Sequence, residues 1–223
     1  ADSTIDAYMN FYSQVCGKRF KFKYEHSKIK VSSNNGRSYD ILINLHTWEQ
    51  VYIAMYLARA GVGHLHLVDF DKVDITNLNR QQYDIADLGT LKTDALTKNI
   101  KRFNPFIEIT SQCVKVNEDN AAEIFGGYKI VCEAFDKAEN KAMLVNSILS
   151  ECGDTKIVSG SGMAGFGSSN TIVTRKINDR FYLCGDAESD MNDGLALAAP
   201  RVAICAAHEA NMILRLLIGE KEV

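Results

Sequence analysis

Apolar runs and amphipathic stretches alternate along most of this chain. Ile41-Leu42-Ile43-Asn44-Leu45 reads as a buried strand. Residues 48 to 60 follow with Val51, Ala54, Leu57 and Ala58 at helical spacing. Thr47-Trp48-Glu49-Gln50 fits a capping box at the start of that helix, and Gly61 a stop at its end. Residues 64 to 69 form a second strand. Lys92 to Phe103 read as a helix closed by Asn104-Pro105, and Phe106 to Thr110 as a strand. Asn117 or Asp119 caps a short helix that Gly126-Gly127 ends. Tyr128 to Phe135 are a strand, Asn140 to Cys152 a helix closed by Gly153, and Lys156 to Ser159 another buried strand.

Strands separated by helices predict an α/β protein with a doubly wound, mainly parallel, Rossmann-like sheet. After residue 160 the texture changes. Gly160-Ser161-Gly162-Met163-Ala164-Gly165-Phe166-Gly167 reads as a flexible loop. Thr171 to Ile177 and Arg180 to Leu183 flank Asn178-Asp179, which predicts an antiparallel hairpin. Pro200 opens a long C-terminal helix that ends before Gly219, with Val202, Cys205, Ala206, Glu209, Met212, Ile213, Leu216 and Leu217 on its packed face. The first 40 residues are atypical. Ile5 to Phe20 suit a helix, and Lys28 to Val31 and Tyr39 to Leu45 flank a polar turn, which suggests a local hairpin. With no repeat and no linker in view, residues 1–223 are expected to form one domain.

Composition narrows the function classes. Hydrophobic residues make up 46% of the 223, enough for a full core. A net charge of -3 gives no reason to expect nucleic-acid binding. The longest apolar stretch contains Pro200, Arg201, His208 and Glu209, so no membrane span is expected, and residues 1 to 20 carry no apolar signal core. Of the six cysteines (Cys16, Cys113, Cys132, Cys152, Cys184 and Cys205), none forms a C-x-x-C pair. That leaves zinc without support and suits a reducing cytoplasm. Cys132 and Cys205 read as inert core residues.

The chemistry concentrates after the second strand. Asp69 ends that strand where a carboxylate can accept hydrogen bonds from ribose hydroxyls, and Asp71 follows closely. Asn77, Arg80, Gln81 and Lys92 come next, at the end of a parallel strand where open α/β sheets bind ligands. Arginine offers a planar fork to phosphate oxygens and lysine a point charge.

These segments resemble the ThiF/MoeB/HesA superfamily, relatives of the ubiquitin-activating enzymes. The matching text is LARAGVGHLHLVDFDKVDITNLNRQ, DLGTLKTDAL, FNPFIEI and CEAFDKAENKAMLVN, followed by GSGMAGFGSSNTI, FYLCGDAESD and APRVAICAAHEANMILRLLIG. It spans roughly residues 51 to 219, and the last three segments look most like the ThiF branch linked to thiamin thiazole synthesis.

The resemblance implies ATP- and Mg²⁺-dependent adenylylation of the C-terminal glycine of a ubiquitin-like, ThiS-like sulfur carrier. By matching position it implies Asp69 on the ribose, and Asn77, Arg80, Gln81 and Lys92 on the triphosphate. It implies Asp136 organising Mg²⁺ and a homodimer in which the arginine reaches across the subunit boundary. The exit from the last buried strand, with Gly160, Gly162, Gly165 and Gly167, is the expected dock for a Gly-Gly carrier tail. Cys184 is a candidate thiol for a second, sulfur-linked step, or a half-exposed structural cysteine.

One block departs from the pattern. The family carries a glycine-rich loop between first strand and first helix, whose positions fall here on Leu45, Thr47, Trp48 and Gln50. Glycine there lets backbone approach phosphate. Three readings stay open: a nucleotide-blind relative, weak ATP binding through Asp69, Arg80 and Lys92, or a shifted reading frame between about Cys16 and Tyr52. An NAD-type dehydrogenase would need the same lost loop and has no hydride-transfer site to offer.

Overall fold

The computed structural model describes residues 20–25, 28–33, 40–44, 48–190 and 194–223. The helix expected over Ile5 to Phe20 lies outside them except for Phe20, as do Cys16 and positions 45 to 47.

Phe20–Glu25 (β1) and Lys28–Ser33 (β2) pair antiparallel in a two-stranded sheet of their own. This overturns the expected hairpin between Lys28–Val31 and Tyr39–Leu45. The sequence explains why. β1 and β2 both alternate lysine with apolar residues, the pattern of a sheet with one wet face. The next strand, Asp40–Asn44 (β3), centres on the continuous apolar run Ile41-Leu42-Ile43, a pattern that suits a parallel sheet. It pairs in parallel with His64–Val68 (β4) on one side and Ile130–Glu133 (β6) on the other.

The main sheet has seven strands in the order β5-β4-β3-β6-β7-β9-β8. Glu108–Gln112 (β5), Lys156–Gly160 (β7) and Phe181–Gly185 (β9) run parallel with their neighbours, and Val173–Lys176 (β8) returns antiparallel to β9 as the expected hairpin. β5 starts two residues later than the pattern suggests. Asn104 Oδ1 accepts hydrogen bonds from the N–H groups of Phe106 and Ile107, which holds the chain in a turn before extension begins. The two outer strands are polar: β5 reads Glu-Ile-Thr-Ser-Gln and β8 Val-Thr-Arg-Lys.

Helices cover both faces. Trp48–Arg59 (α1), Lys92–Lys101 (α2) and Ala199–Ile218 (α5) share one core with the strands, in which Ile53, Leu57, Leu65, Leu96, Tyr182, Val202 and Ile213 are buried. Glu118–Phe125 (α3) and Ala138–Glu151 (α4) enclose a second core around Phe125, Phe135, Leu144 and Ile148. The expected stripes of α1 and α5 are the buried ones, with Leu217 at the half-buried margin. Asn117 caps α3 with a reciprocal Asn120 bond, and Gly219 closes α5 in the left-handed region at φ 95°.

Between β4 and α2 the chain makes a long excursion built on two 3-10 turns, Ile75–Asn77 and Ile85–Asp87. Each starts with an aspartate in a capping box. Asp87 is buried and accepts hydrogen bonds from Asp84 N–H, Lys98 Nζ and Asn99 Nδ2, so the excursion is tied down onto α2.

The glycine-rich exit from β7 is held in place by the rest of the chain. Ser161 N–H donates to Cys184 O, Asp186 N–H to Gly162 O, Ala187 N–H to Ser161 O and Gly165 N–H to Ala196 O. Gly185 sits at φ 129°, and a Cβ there would collide with the Ser161 carbonyl. We expect Gly185→Ala to cost about 3 kcal/mol or more, because a side chain would meet both a forbidden φ and backbone. Urea denaturation would show this as a lowered midpoint. A midpoint equal to wild type would mean that the two segments separate without cost.

Candidate active site

Chain order reverses across the sheet between β3 and β6: β3, β4 and β5 progress one way, and β6, β7 and β9 the other. At such a switch point the helices leave to opposite faces and a crevice opens beyond the strand ends. The expected site residues gather at this edge.

Asp69 follows β4 and is fully buried. Its Oδ1 accepts the Asp71 N–H at 2.7 Å, and its Oδ2 lies 3.8 Å from Lys92 Nζ. Lys92 opens α2, is itself buried, and pairs at 2.9 Å with Asp71 Oδ2. Loss of water pushes the Asp69 carboxyl up to about 6, and Lys92 opposes the rise. Asp136 stands just past β6. Its pKa is raised by desolvation, with Lys92 and then Lys141 pulling it down and Asp71 adding to the rise. Desolvation lowers the Arg80 pKa, and the Asp136 charge opposes that. Asp69, Asp71, Arg80, Lys92 and Asp136 therefore share one electrostatic neighbourhood.

The remaining candidates occupy different roles. Asn77 is buried, and its Oδ1 accepts the Asp74 N–H in a capping box, which leaves its amide N–H groups for a ligand. Arg80 Nη1 donates to Thr76 O and Asn79 Oδ1 along its own excursion. Gln81 is buried with its Oε1 atom lacking a hydrogen-bond partner, an acceptor held ready at the site.

Among the loop glycines, Gly160 ends β7 and Gly167 lies beside the Arg201 guanidinium. Gly165 has φ 74° and packs against Leu195, while Gly162, at φ 76°, has its Cβ space taken by Asp186 and Ala187. The half-exposed cysteine expected at position 184 is corrected. Cys184 is fully buried within β9, with Thr174 Oγ1 at 3.6 Å from its Sγ, so the thiol offers no open path to an incoming group.

Three sets of polar contacts could not be read from the sequence. Gln50, at the last of the family's glycine positions, is fully buried in the first turn of α1, and its Nε2 donates to Ala134 O just past β6. It thus bridges the two sides of the switch point. Glu133 is fully buried and accepts from Phe135 N–H, Ser159 Oγ and Lys141 Nζ, which fixes the backbone that carries Asp136. A carboxylate inside the apolar run Ile130 to Phe135 was its available signal. The third is an ion pair between Arg201 and Asp186 behind the glycine loop.

The donor set suits a nucleotide at its ribose and cation end. Asp69 can accept from hydroxyls, Lys92 and Arg80 can meet phosphate, and Asp136 can supply a hard cation with the carboxylate it needs alongside phosphate oxygens. Among the described residues no three His, Cys, Asp or Glu side chains gather to hold a metal by themselves. Gln50 sits where the family has a small residue, and it is the described residue that fits a nucleotide least.

The sheet order and the reversal at its switch point define a doubly wound α/β protein. The chain belongs to the ThiF family, whose model matches residues 51–223. Over 109 residues it is 37% identical to "adenylyltransferase and sulfurtransferase UBA4" of Eremothecium gossypii, a match covering 48% of this chain and 24% of that protein. Over 97 residues it is 36% identical to "adenylyltransferase and sulfurtransferase MOCS3" of Caenorhabditis briggsae, covering 43% of this chain and 24% of that one. The chain thus spans about a quarter of the length of the curated relatives it matches.

Its fold is shared with the tRNA N6-threonylcarbamoyladenosine dehydratase TcdA of E. coli, solved with AMP. The TM-score is 0.72 at 21% identity, over 81% of this chain and 86% of that one. E. coli MccB, solved with ATP, has a TM-score of 0.62 at 19% identity, over 82% of this chain and 57% of that one.

The raised pKa of Asp69 gives a pH test. Folding lifts this carboxyl from 3.8 to about 6, so between those values the native state binds more protons than the unfolded chain. Stability from this group is full below pH 4, falls as pH rises to about 6, and stays low above. Asp69→Asn keeps the acceptor for the Asp71 N–H and removes the charge. We expect it to be more stable than wild type at pH 8, by on the order of 3 kcal/mol, with the gain vanishing near pH 4. Urea denaturation across that range checks it, and a pH-independent difference would contradict it.

Proposed function

We propose that this chain adenylylates the C-terminal glycine of a small ubiquitin-like sulfur carrier, using MgATP. The carrier of the resemblance is ThiS-like, in sulfur transfer to the thiamin thiazole, within the reducing cytoplasm. The observation that supports this reading is the convergence of Lys92, Arg80 and Asp136 beside the buried Asp69 at the switch point. The printed names of the relatives, adenylyltransferase and sulfurtransferase, support the reaction class.

A carrier carboxylate oxygen attacking the α-phosphorus is repelled by the phosphate's negative charge, and pyrophosphate leaves as the acyl–phosphate bond forms. Lys92 and Arg80 offset that repulsion and the charge that develops in the transition state. The Asp71 carboxylate beside Lys92 holds its ammonium in place between nucleotide requests, and Asp69 fixes the ribose. Asp136 would hold Mg²⁺, which supplies Lewis-acid neutralisation of the phosphates. No side-chain nucleophile is needed, in keeping with the buried Cys184. Arg80 lies on the same excursion as Ile75 and Ile85, which are 70% and 77% exposed. We place the second subunit of a homodimer on this apolar surface.

A second reading has its own support. Gln50 bridges α1 and the end of β6, and the residues between Asn44 and Trp48 include no glycine. Both favour a protein that grips a carrier tail without binding nucleotide.

Calorimetry and pyrophosphate exchange separate the two. We expect MgATP to bind weakly, with a Kd above about 100 µM, and Gln50→Gly to tighten it several-fold. Carrier-dependent exchange of pyrophosphate into ATP should appear at millimolar ATP, and Lys92→Ala or Arg80→Ala should lower it by about 10²-fold. Absence of exchange together with tight carrier binding would establish the second reading.

Assembly gives a further expectation. Sedimentation should show a dimer at tens of micromolar, and Ile85→Glu should shift it toward monomer by charging the apolar contact. A monomeric wild type would remove Arg80 from any role across a subunit boundary.

A further inference from the structure

Behind the glycine loop lies a polar arrangement that none of the proposed chemistry uses. Arg201, in the first turn of α5, is 5% exposed. Its Nη1 donates to two backbone carbonyls of the loop, Gly167 O at 3.0 Å and Ser168 O at 2.8 Å. Its Nη2 donates to Thr171 Oγ1 at 3.2 Å and forms the ion pair with Asp186 Oδ2. Asp186 is in turn saturated: its Oδ1 accepts from Glu188 N–H, Ser189 N–H and Ser189 Oγ. The next residue, Ala187, is held at φ 64°, a region that a residue with a Cβ occupies only when its surroundings demand it.

Burying an arginine to hold backbone carbonyls costs desolvation of both partners. The planar guanidinium makes the cost worthwhile only where several acceptors must be fixed relative to one another. Here those acceptors are one stretch of loop, 167–171, and one carboxylate on the neighbouring segment. Directly before that stretch stands Phe166, 92% exposed. Gly165 N–H donates to Ala196 O on one side of Phe166, and Arg201 holds Gly167 O and Ser168 O on the other; an exposed aromatic on backbone tied at both ends has less freedom to lose on binding. The loop leaves β7 at the same sheet edge as Asp69 and Asp136.

We propose that Arg201 and Asp186 are a positioning pair that holds the Phe166–Thr171 backbone as a preformed ledge for the extended C-terminal tail of the carrier. This rests on the carrier reading given above. The pair does not touch the reacting atoms. It acts by removing the ordering cost that a slack loop would impose on the tail.

A binding cycle tests it, with the full chain and two forms of a ThiS-like carrier, complete and lacking its last two glycines. In wild type the complete carrier should bind about tenfold more tightly than the truncated one. Arg201→Lys keeps the positive charge but cannot span all four acceptors. It should bring the complete carrier down to the affinity of the truncated form, while the truncated carrier binds as it does to wild type.

Phe166→Ser changes an exposed side chain with little effect on folding. It should weaken the complete carrier by about fivefold at an unchanged melting temperature. Equal losses for both carriers in Arg201→Lys would mark a general structural role and overturn the proposal, as would no loss for either, or full affinity in Phe166→Ser. If wild type itself fails to distinguish the two carriers, the tail does not dock here, and the underlying carrier reading falls first.

Discussion

The Lys92 ammonium ties the start of α2 to the end of β4. It begins α2, yet it reaches back to the end of β4, where it pairs with Asp71 and lies near Asp69. Its backbone N–H donates to Asp71 O, its carbonyl accepts from Tyr83 OH, and Lys72 bridges Leu91 beside it. Backbone and side chain of Lys92 together close the excursion from residue 70 to 91, and Asp87 ties its middle to α2. Removing the Lys92 ammonium would leave the buried Asp69 carboxylate without its nearby cation in a dry place, where unpaired charge is expensive. Fold and site share the same interaction here, so neither can vary without the other.

Much of this was legible in the sequence because period and punctuation agreed. The stripes of α1 and α5, the caps of α3 and α5, and the alternation of strand and helix all follow from local residue choice. The parallel sheet follows from their order. Partner choice for β2 and β3 was less legible, because a polar turn between two apolar runs looks the same whether the second run folds back or enters a parallel sheet. Continuous apolarity of Ile41-Leu42-Ile43 was the deciding signal.

Asp69, Arg80 and Lys92 could be picked out from residue type and position after a strand end, and Asp136 from the family resemblance. Gln50, Arg201 and Asp186 could not. Their meaning lies in long-range contacts, to Ala134, to Gly167 and Ser168, and to one another, that no spacing along the chain reveals. The glycine run after β7 was misleading in a related way. Glycine marks slack chain and close approach equally well, and at Gly162 and Gly185 it is close approach that the structure uses.

The outer strands have one more consequence. β5 offers glutamate, threonine, serine and glutamine to water, and β8 carries Arg175 and Lys176. A strand that adds to an edge must strip water from such side chains and set like charges side by side when the newcomer is a second copy. Both rims of the sheet thus resist growth by strand pairing. An incoming strand therefore meets a desolvation cost at either rim of the seven-stranded sheet.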